Sequence, residues 1–194
     1  MDDSVLAAIA KWPDVPHVYG WLRLTARGQW QLRGEPIANA AIRDFIGRNY
    51  ASDERGRWFF QNGPQRVYVE LELAPWVYRL HSDGVPVAQT GARPRELREA
   101  ALLGDGRLVL QTDLGPGGVD DRDAPRLLPA LVDADGRPLA EEVVERWLDG
   151  DGAAWLAAGR LGLRGGIVPL RRMNADDIGA RYGFERQPAA GGSG

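Results

Sequence analysis

The sequence predicts an α+β protein of two similar lobes, each a small, mostly antiparallel sheet with one helix packed across it. Three observations carry that prediction. The chain states part of itself twice: Gly34-Glu35-Pro36-Ile37-Ala38 opens one segment and Gly136-Arg137-Pro138-Leu139-Ala140 opens another. Each opening runs into apolar residues at helical spacing, Ile37, Ala41, Ile42, Phe45 and Ile46 in the first, Leu139, Val143, Val144, Trp147 and Leu148 in the second. Around these helices lie short alternating segments cut by Gly, Asn and Pro turns, the pattern of antiparallel strands. An internal duplication explains the shared opening; a chance match between two amphipathic helices is the alternative.

The elements follow in order. Ser4 to Lys11 reads as a short helix capped by Ser4 and stopped by Pro13. Tyr19 to Leu24 and Gln29 to Leu32 form a hairpin turning near Arg27-Gly28. The first repeated helix runs from about Pro36 to Tyr50, with the proline at its first position. Trp58-Phe59-Phe60 is a strand, and Asn62-Gly63 signals a hairpin into Arg66 to Leu73. There Val67, Val69, Leu71 and Leu73 share one face, and Arg66, Tyr68, Glu70 and Glu72 the other. Trp76 to Leu80 is a further strand, and Leu102-Leu103 with Leu108 to Thr112 makes a hairpin across Gly104-Asp105-Gly106. Leu114 to Pro125, with Gly115-Pro116-Gly117-Gly118, reads as loop. Leu127 to Val132 reads as a strand, followed by the second repeated helix to Leu148, a helical or turn segment at Ala153 to Ala158, short strands at Leu161 to Leu163 and Ile167 to Leu170, and a last helix from Asn174 to about Tyr182. The expected organisation is a helix and linker at 1–16, a first lobe at 17–90, a connection at 91–125, a second lobe at 126–184 and a flexible tail at 185–194.

Bulk chemistry narrows function mainly by exclusion. A net charge of −3 gives no electrostatic reason for nucleic acid or an anionic membrane as partner. The acidic start Met1-Asp2-Asp3-Ser4 is unlike a signal peptide, and no apolar run is long enough to span a bilayer, so a cytoplasmic protein is expected. With no cysteine there is no thiol or Fe–S chemistry. Its basic residues are Arg apart from Lys11, as a GC-rich coding sequence gives; selection for bidentate anion contacts is the alternative.

No motif announces a reaction. His17 and His81 lack carboxylates at metal-ligand spacing. The Asp120, Asp121, Asp123 and Asp133-Ala134-Asp135-Gly136 clusters lack the remaining ligands of a Ca²⁺ loop and read as solvated turns. There is neither a phosphate loop nor a nucleophile elbow, and no cofactor is implied. The densest functional chemistry is the stretch from Arg48 to Tyr68. Its Arg57, Trp58, Asn62, Gln65, Arg66 and Tyr68 are the candidate ligand-binding residues: amide and guanidinium groups to orient a ligand, an exposed ring to give contact area. The bland reading is that the rings fill the core and the polar groups cap turns. Because Trp58 and Phe59 point to opposite faces of a strand, one of the two must meet another layer. The expectation is a non-catalytic protein that binds a small molecule or a protein. The alternative is a hydrolase or transferase using Glu70 with Arg66 or Tyr68.

The wording Val15-Pro16-His17-x-Tyr19-Gly20-Trp21-Leu22, Gly28-x-Trp30, Gly34-x-Pro36-Ile37, Asp53-Glu54-x-Gly56-x-Trp58-Phe59, Val67-x-Val69-Glu70 and Ala74-Pro75-Trp76-Val77 resembles a bacterial domain-of-unknown-function family, in a proteobacterial branch of it. The resemblance covers about residues 15–80 and is vaguer after Gly91. It implies repeated α+β motifs and a non-catalytic role, with signal transduction as the suggested setting. It assigns no catalytic residue.

Overall fold

Two mixed sheets, packed face to face, organise the chain in a computed structural model that describes residues 1–190. The first has six strands: β1 (Val18–Leu24), β2 (Trp30–Leu32), β3 (Glu35–Pro36), β4 (Tyr50–Ser52), β5 (Trp58–Asn62) and β6 (Gln65–Leu71), in the order β3-β2-β1-β6-β5-β4. The second has eight: β7 (Trp76–Leu80), β8 (Pro86–Ala88), β9 (Leu97–Leu103), β10 (Leu108–Thr112), β11 (Gly115–Val119), β12 (Leu131–Val132), β13 (Ala154–Ala157) and β14 (Ile167–Met173), in the order β12-β13-β14-β9-β10-β11-β7-β8. Pairing is antiparallel except at β1–β6, β9–β14 and β7–β11. Four helices accompany them: α1 (Asp3–Lys11), α2 (Ala40–Arg48), α3 (Glu141–Leu148) and α4 (Ile178–Tyr182).

Alternation explains the layers. Leu22, Leu24, Val69 and Leu71 point from the first sheet, and Ala101, Leu103 and Val109 from the second, into one core closed by Ile46 of α2 and Ile178 of α4. The alternate residues Ala100 and Leu110 point the other way, into a second core with Leu156, Leu170 and Trp147 of α3. Each fully buried Val or Leu contributes about 1.5–3 kcal/mol, so these stripes fix both strand register and sheet facing.

The α+β class stands, and several elements differ from expectation for local reasons. Helix α2 starts at Ala40, not at Pro36: Asn39 caps it by accepting from the Ile42 amide at 3.2 Å, and Pro36 lies on the edge strand β3. Likewise Pro138 pairs with Val132 ahead of α3. Helix α1 has no side-chain cap; Asp2 instead meets Arg48 at 3.2 Å. The glycine-rich stretch expected as loop is β11, buried between β10 and β7, where a Cβ on Gly117 would collide with the Tyr78 ring and one on Gly118 with Leu73. Ala154–Ala157 is a strand, Ala124–Ala130 a 3₁₀ segment where a strand was expected, and Leu161 closes another 3₁₀ turn. Strands β7 and β8, inside 17–90 by sequence, hydrogen-bond into the second sheet through β11. Of the expected tail, Arg186 is bound to the first sheet: its carbonyl accepts from the Leu71 amide at 2.8 Å and its Nη2 donates to the Glu72 carbonyl at 2.6 Å. Pro188 is buried, and residues 191–194 lie outside the described residues.

Candidate functional site

The six candidate residues fall at three places on the first sheet. Hairpin β5–β6 turns through Gly63-Pro64, with Asn62 facing Gln65 as its last pair and Gly63 at φ +56°. Along β5, Trp58, Phe60 and Asn62 share the face toward α2 and the second sheet; on β6, Gln65 and Val67 lie on the same side. Phe59, Arg66 and Tyr68 project from the opposite face.

On that opposite face the chemistry is internally satisfied. The Asp53 carboxylate accepts from Arg57 Nε at 2.8 Å and from the Tyr68 hydroxyl at 3.0 Å, and Arg57 Nη2 donates back to that hydroxyl at 3.1 Å. Tyr19 stacks on Tyr68 at 4.6 Å, and His17 meets it edge-on at 5.6 Å. Burial pushes the Asp53 carboxyl up, but its hydrogen bonds from Arg57 and Tyr68 outweigh that and hold it below its usual range. Burial, with the Asp53 charge, pushes the Tyr68 phenol up; burial and the neighbouring Arg66 and Arg57 push His17 down. At neutral pH the trio is carboxylate, guanidinium and neutral phenol, each bonded to the other two. Arg66 lies over the Phe59 ring at 4.6 Å. Among the described residues, Glu70 forms no hydrogen bond or ion pair with Arg66 or Tyr68. Trp58 is elsewhere, in an aromatic group with Tyr50 at 4.8 Å and Trp76 at 5.3 Å. It reaches the second sheet at Gly115, the other layer that its strand position required.

Asn62 and Gln65 stand at a groove. Its floor is Val18, Leu22, Val67 and Phe60 from β1, β6 and β5; Leu32 of β2 and Trp21 form its far side, and Ile37, Ile42 and Ile46 of the α2 segment cover it. The cavity is about 280 Å³. A register irregularity between Val18 and Leu22, containing Gly20 at φ +72°, lets both Trp21 and Leu22 reach it. Three large apolar side chains around it stay exposed: Trp21 at 45%, Leu32 at 47% and Ile42 at 49%. The Gln65 amide donates to the Pro16 carbonyl at 3.1 Å and so is held at the mouth. Sequence reasoning reached the two amides but not the apolar lining, whose members are spread from Val18 to Val67. The one signal for it was the surplus of apolar residues on the short helix α2.

A second cleft, about 540 Å³, is lined by residues of both sheets' connections and carries Arg27, Glu72, Asp105, Arg107 and Asp121. Its charges pair with one another: Arg27 with Asp121 at 2.7 Å, Arg107 with Asp105 at 2.5 Å, and Glu72 with the Ala26 amide at 3.2 Å. Among the described residues, no group of three or more His, Asp or Glu side chains could hold a metal ion, and no helix is long and apolar enough to cross a membrane.

Comparison with known proteins gives a family and a fold. The family described as "Protein of unknown function (DUF2946)" matches over residues 1–189. A DUF1285 family protein from Silicibacter pomeroyi DSS-3 aligns over 87% of this chain and 97% of its own, with a TM-score of 0.52 and 15% identity. A DUF1285 family protein from Shewanella baltica OS155 aligns over 54% of this chain and 87% of its own, with a TM-score of 0.41 and 16% identity. The first of these shares the fold. No curated protein matches.

Proposed function

The chain belongs to the DUF2946 family, and from that premise we propose that it is a non-catalytic binding protein whose groove between α2 and the first sheet holds a small, mostly apolar molecule. One observation carries the reading: the exposed ring and branched chains of Trp21, Leu32 and Ile42 gather around one apolar groove. Scattered apolar residues need no explanation, whereas a cluster rimming a concavity is what a ligand covers. Asn62 and Gln65 give that mouth its hydrogen-bonding groups, whereas Arg27 and Arg107 of the 540 Å³ cleft are paired with Asp121 and Asp105. A ligand that binds only the folded protein raises its unfolding midpoint, so occupancy is readable as stability.

The test is fluorescence titration with an uncharged naphthylamine dye. Ile42→Glu places a charge on an exposed helix position, so the fold is retained while the groove mouth becomes polar. Dye affinity should fall about tenfold or more, since one lost apolar contact of this size is worth about 1.4 kcal/mol or more. An unchanged affinity would show that the dye, and the ligand it reports, bind elsewhere.

The two sheets also support the duplication. In each, the first strand of the unit lies parallel beside its last, β1 with β6 and β9 with β14, and a helix precedes the hairpin that brings the last strand home. Gly34 and Gly136 have the same spacing as Gln65–Leu71 and Ile167–Met173. Superposing the backbone of residues 39–71 on 141–173 is the check; β5–β6 running apart from β13–β14 would remove the idea.

A further inference from the structure

Arg33, a cation left unpaired by the protein, lies against Trp21, one of the residues that line the groove. Strands β2 and β3 are joined by Arg33 and Gly34, between the facing pair Leu32 and Glu35. Both loop residues have positive φ, +51° and +87°, as a type I′ turn requires. Asn, Asp or Gly suits the first of those positions. Among the described residues Arg33 is the one non-glycine residue in left-handed backbone, a conformation that a Cβ makes costly and that tends to survive where a side chain is needed.

What the side chain does there is specific. The Arg33 amide donates to the Trp21 carbonyl at 2.7 Å, and the guanidinium lies 3.8 Å over the Trp21 ring. Contact with the ring holds the guanidinium beside Trp21, where its N–H groups remain available to an acceptor. Among the described residues no carboxylate lies within ion-pair distance of it, whereas Arg27, Arg57 and Arg107 each have one. The same Trp21 lines the apolar groove. Asn62 and Gln65 are at the far, β5–β6 end, so charge at the Trp21 end is set by Arg33 alone among the groups named here.

We propose that the groove takes a single-chain aliphatic carboxylate, its chain against Leu22, Ile42 and Phe60 and its carboxylate bonded side-on to the Arg33 guanidinium. The inference rests on the groove being the binding site and adds the charge and shape of the ligand. The geometry favours a carboxylate because the guanidinium edge matches its two oxygens. A cavity of about 280 Å³ falls at the small end of ligand pockets, which fits one short chain and not a two-chain lipid.

The experiment is calorimetric titration of the whole protein with decanoate, decanol and decylamine, each below its aggregation limit. Wild type should bind decanoate about tenfold tighter than decanol, and decylamine more weakly than either. Arg33→Asn creates an Asn-Gly turn, the favoured pair for this loop, so the unfolding midpoint should hold or rise. In that variant decanoate should drop to the affinity of decanol, and decanol should be unaffected. Equal binding of decanoate and decanol by wild type overturns the charge assignment and leaves the groove reading standing. A decanoate preference that survives Arg33→Asn overturns it too, by placing the anion elsewhere. Failure of all three probes to bind overturns the groove reading and this inference with it.

Discussion

Asp120 shows how much one side chain can be worth to this fold. It is fully buried and bonded to Arg122 at 2.7 Å, with Arg79 at 3.5 Å; Asp123 beside it holds Arg79 at 2.7 Å and Arg126 at 3.1 Å. The Arg122 hydrogen bond, outweighing burial, pulls the Asp120 carboxyl down to about 2 from 3.8. A depressed carboxyl contributes its stability above the unfolded value and loses it as pH falls through the folded one. We therefore expect about 2 kcal/mol from Asp120 at pH above about 5, fading as pH drops toward about 2. Urea unfolding of wild type and Asp120→Asn across that window checks it: the variant should be weaker by about 2 kcal/mol at neutral pH, with the gap closing in acid. An equal gap at both ends would assign the loss to packing. The sequence shows three aspartates in four residues and suggests a solvated turn. Burial was illegible there because Arg79 comes from β7 in a different part of the chain. The same limit applies at the candidate site: Arg57 and Tyr68 were legible as chemistry, but their mutual saturation with Asp53 depends on β5 and β6 lying side by side.

Elements were readable where their own residues decide their state. Hairpins β5–β6 and β9–β10 carry alternation and turn glycines in the letters themselves. Strand β11 is the opposite case. Gly115-Pro116-Gly117-Gly118 has loop composition and becomes a strand because β10 and β7 supply hydrogen bonds on both sides. Its glycines are space for others: the Tyr78 ring, whose hydroxyl is 2.8 Å from that of Thr112, lies where a Gly117 side chain would be. Gly117→Ala should cost about 3 kcal/mol, the upper range for overpacking, because the buried Tyr78 ring and the Trp76 Cβ crowd the space that a Gly117 Cβ would take. Thermal unfolding reads this directly; a loss under about 1 kcal/mol would mean the ring can shift. Strand β13, Ala-Trp-Leu-Ala, was missed for a related reason, since alanine favours helix unless neighbouring strands override it.

At the scale of the molecule, Arg186 ties the end of the described chain to the first sheet after the chain has completed the second. Arg186→Ala removes the Glu72 contact but leaves the backbone bond to Leu71. We expect a loss of about 1–2 kcal/mol, read as a midpoint lower by about 3–6 °C by calorimetry. An unchanged midpoint would mean the contact is replaced by water without loss. The α+β class was legible at this scale because helices and hairpins are local. The stacking of one sheet on the other was not, because no letter marks which of two apolar faces meets the other sheet.

The parallel pairs β1–β6 and β9–β14 have a kinetic meaning. The first strand of either unit stays without its parallel neighbour until the last strand of that unit has been made: β1 waits for β6, and β9 for β14. Such high contact order slows folding and leaves apolar strand edges bare on a nascent chain. The first sheet can close while the second is still being translated. Strands β7 and β8 then emerge before their partner β11, which makes them the segment most exposed to mispairing and the natural place for a chaperone to hold.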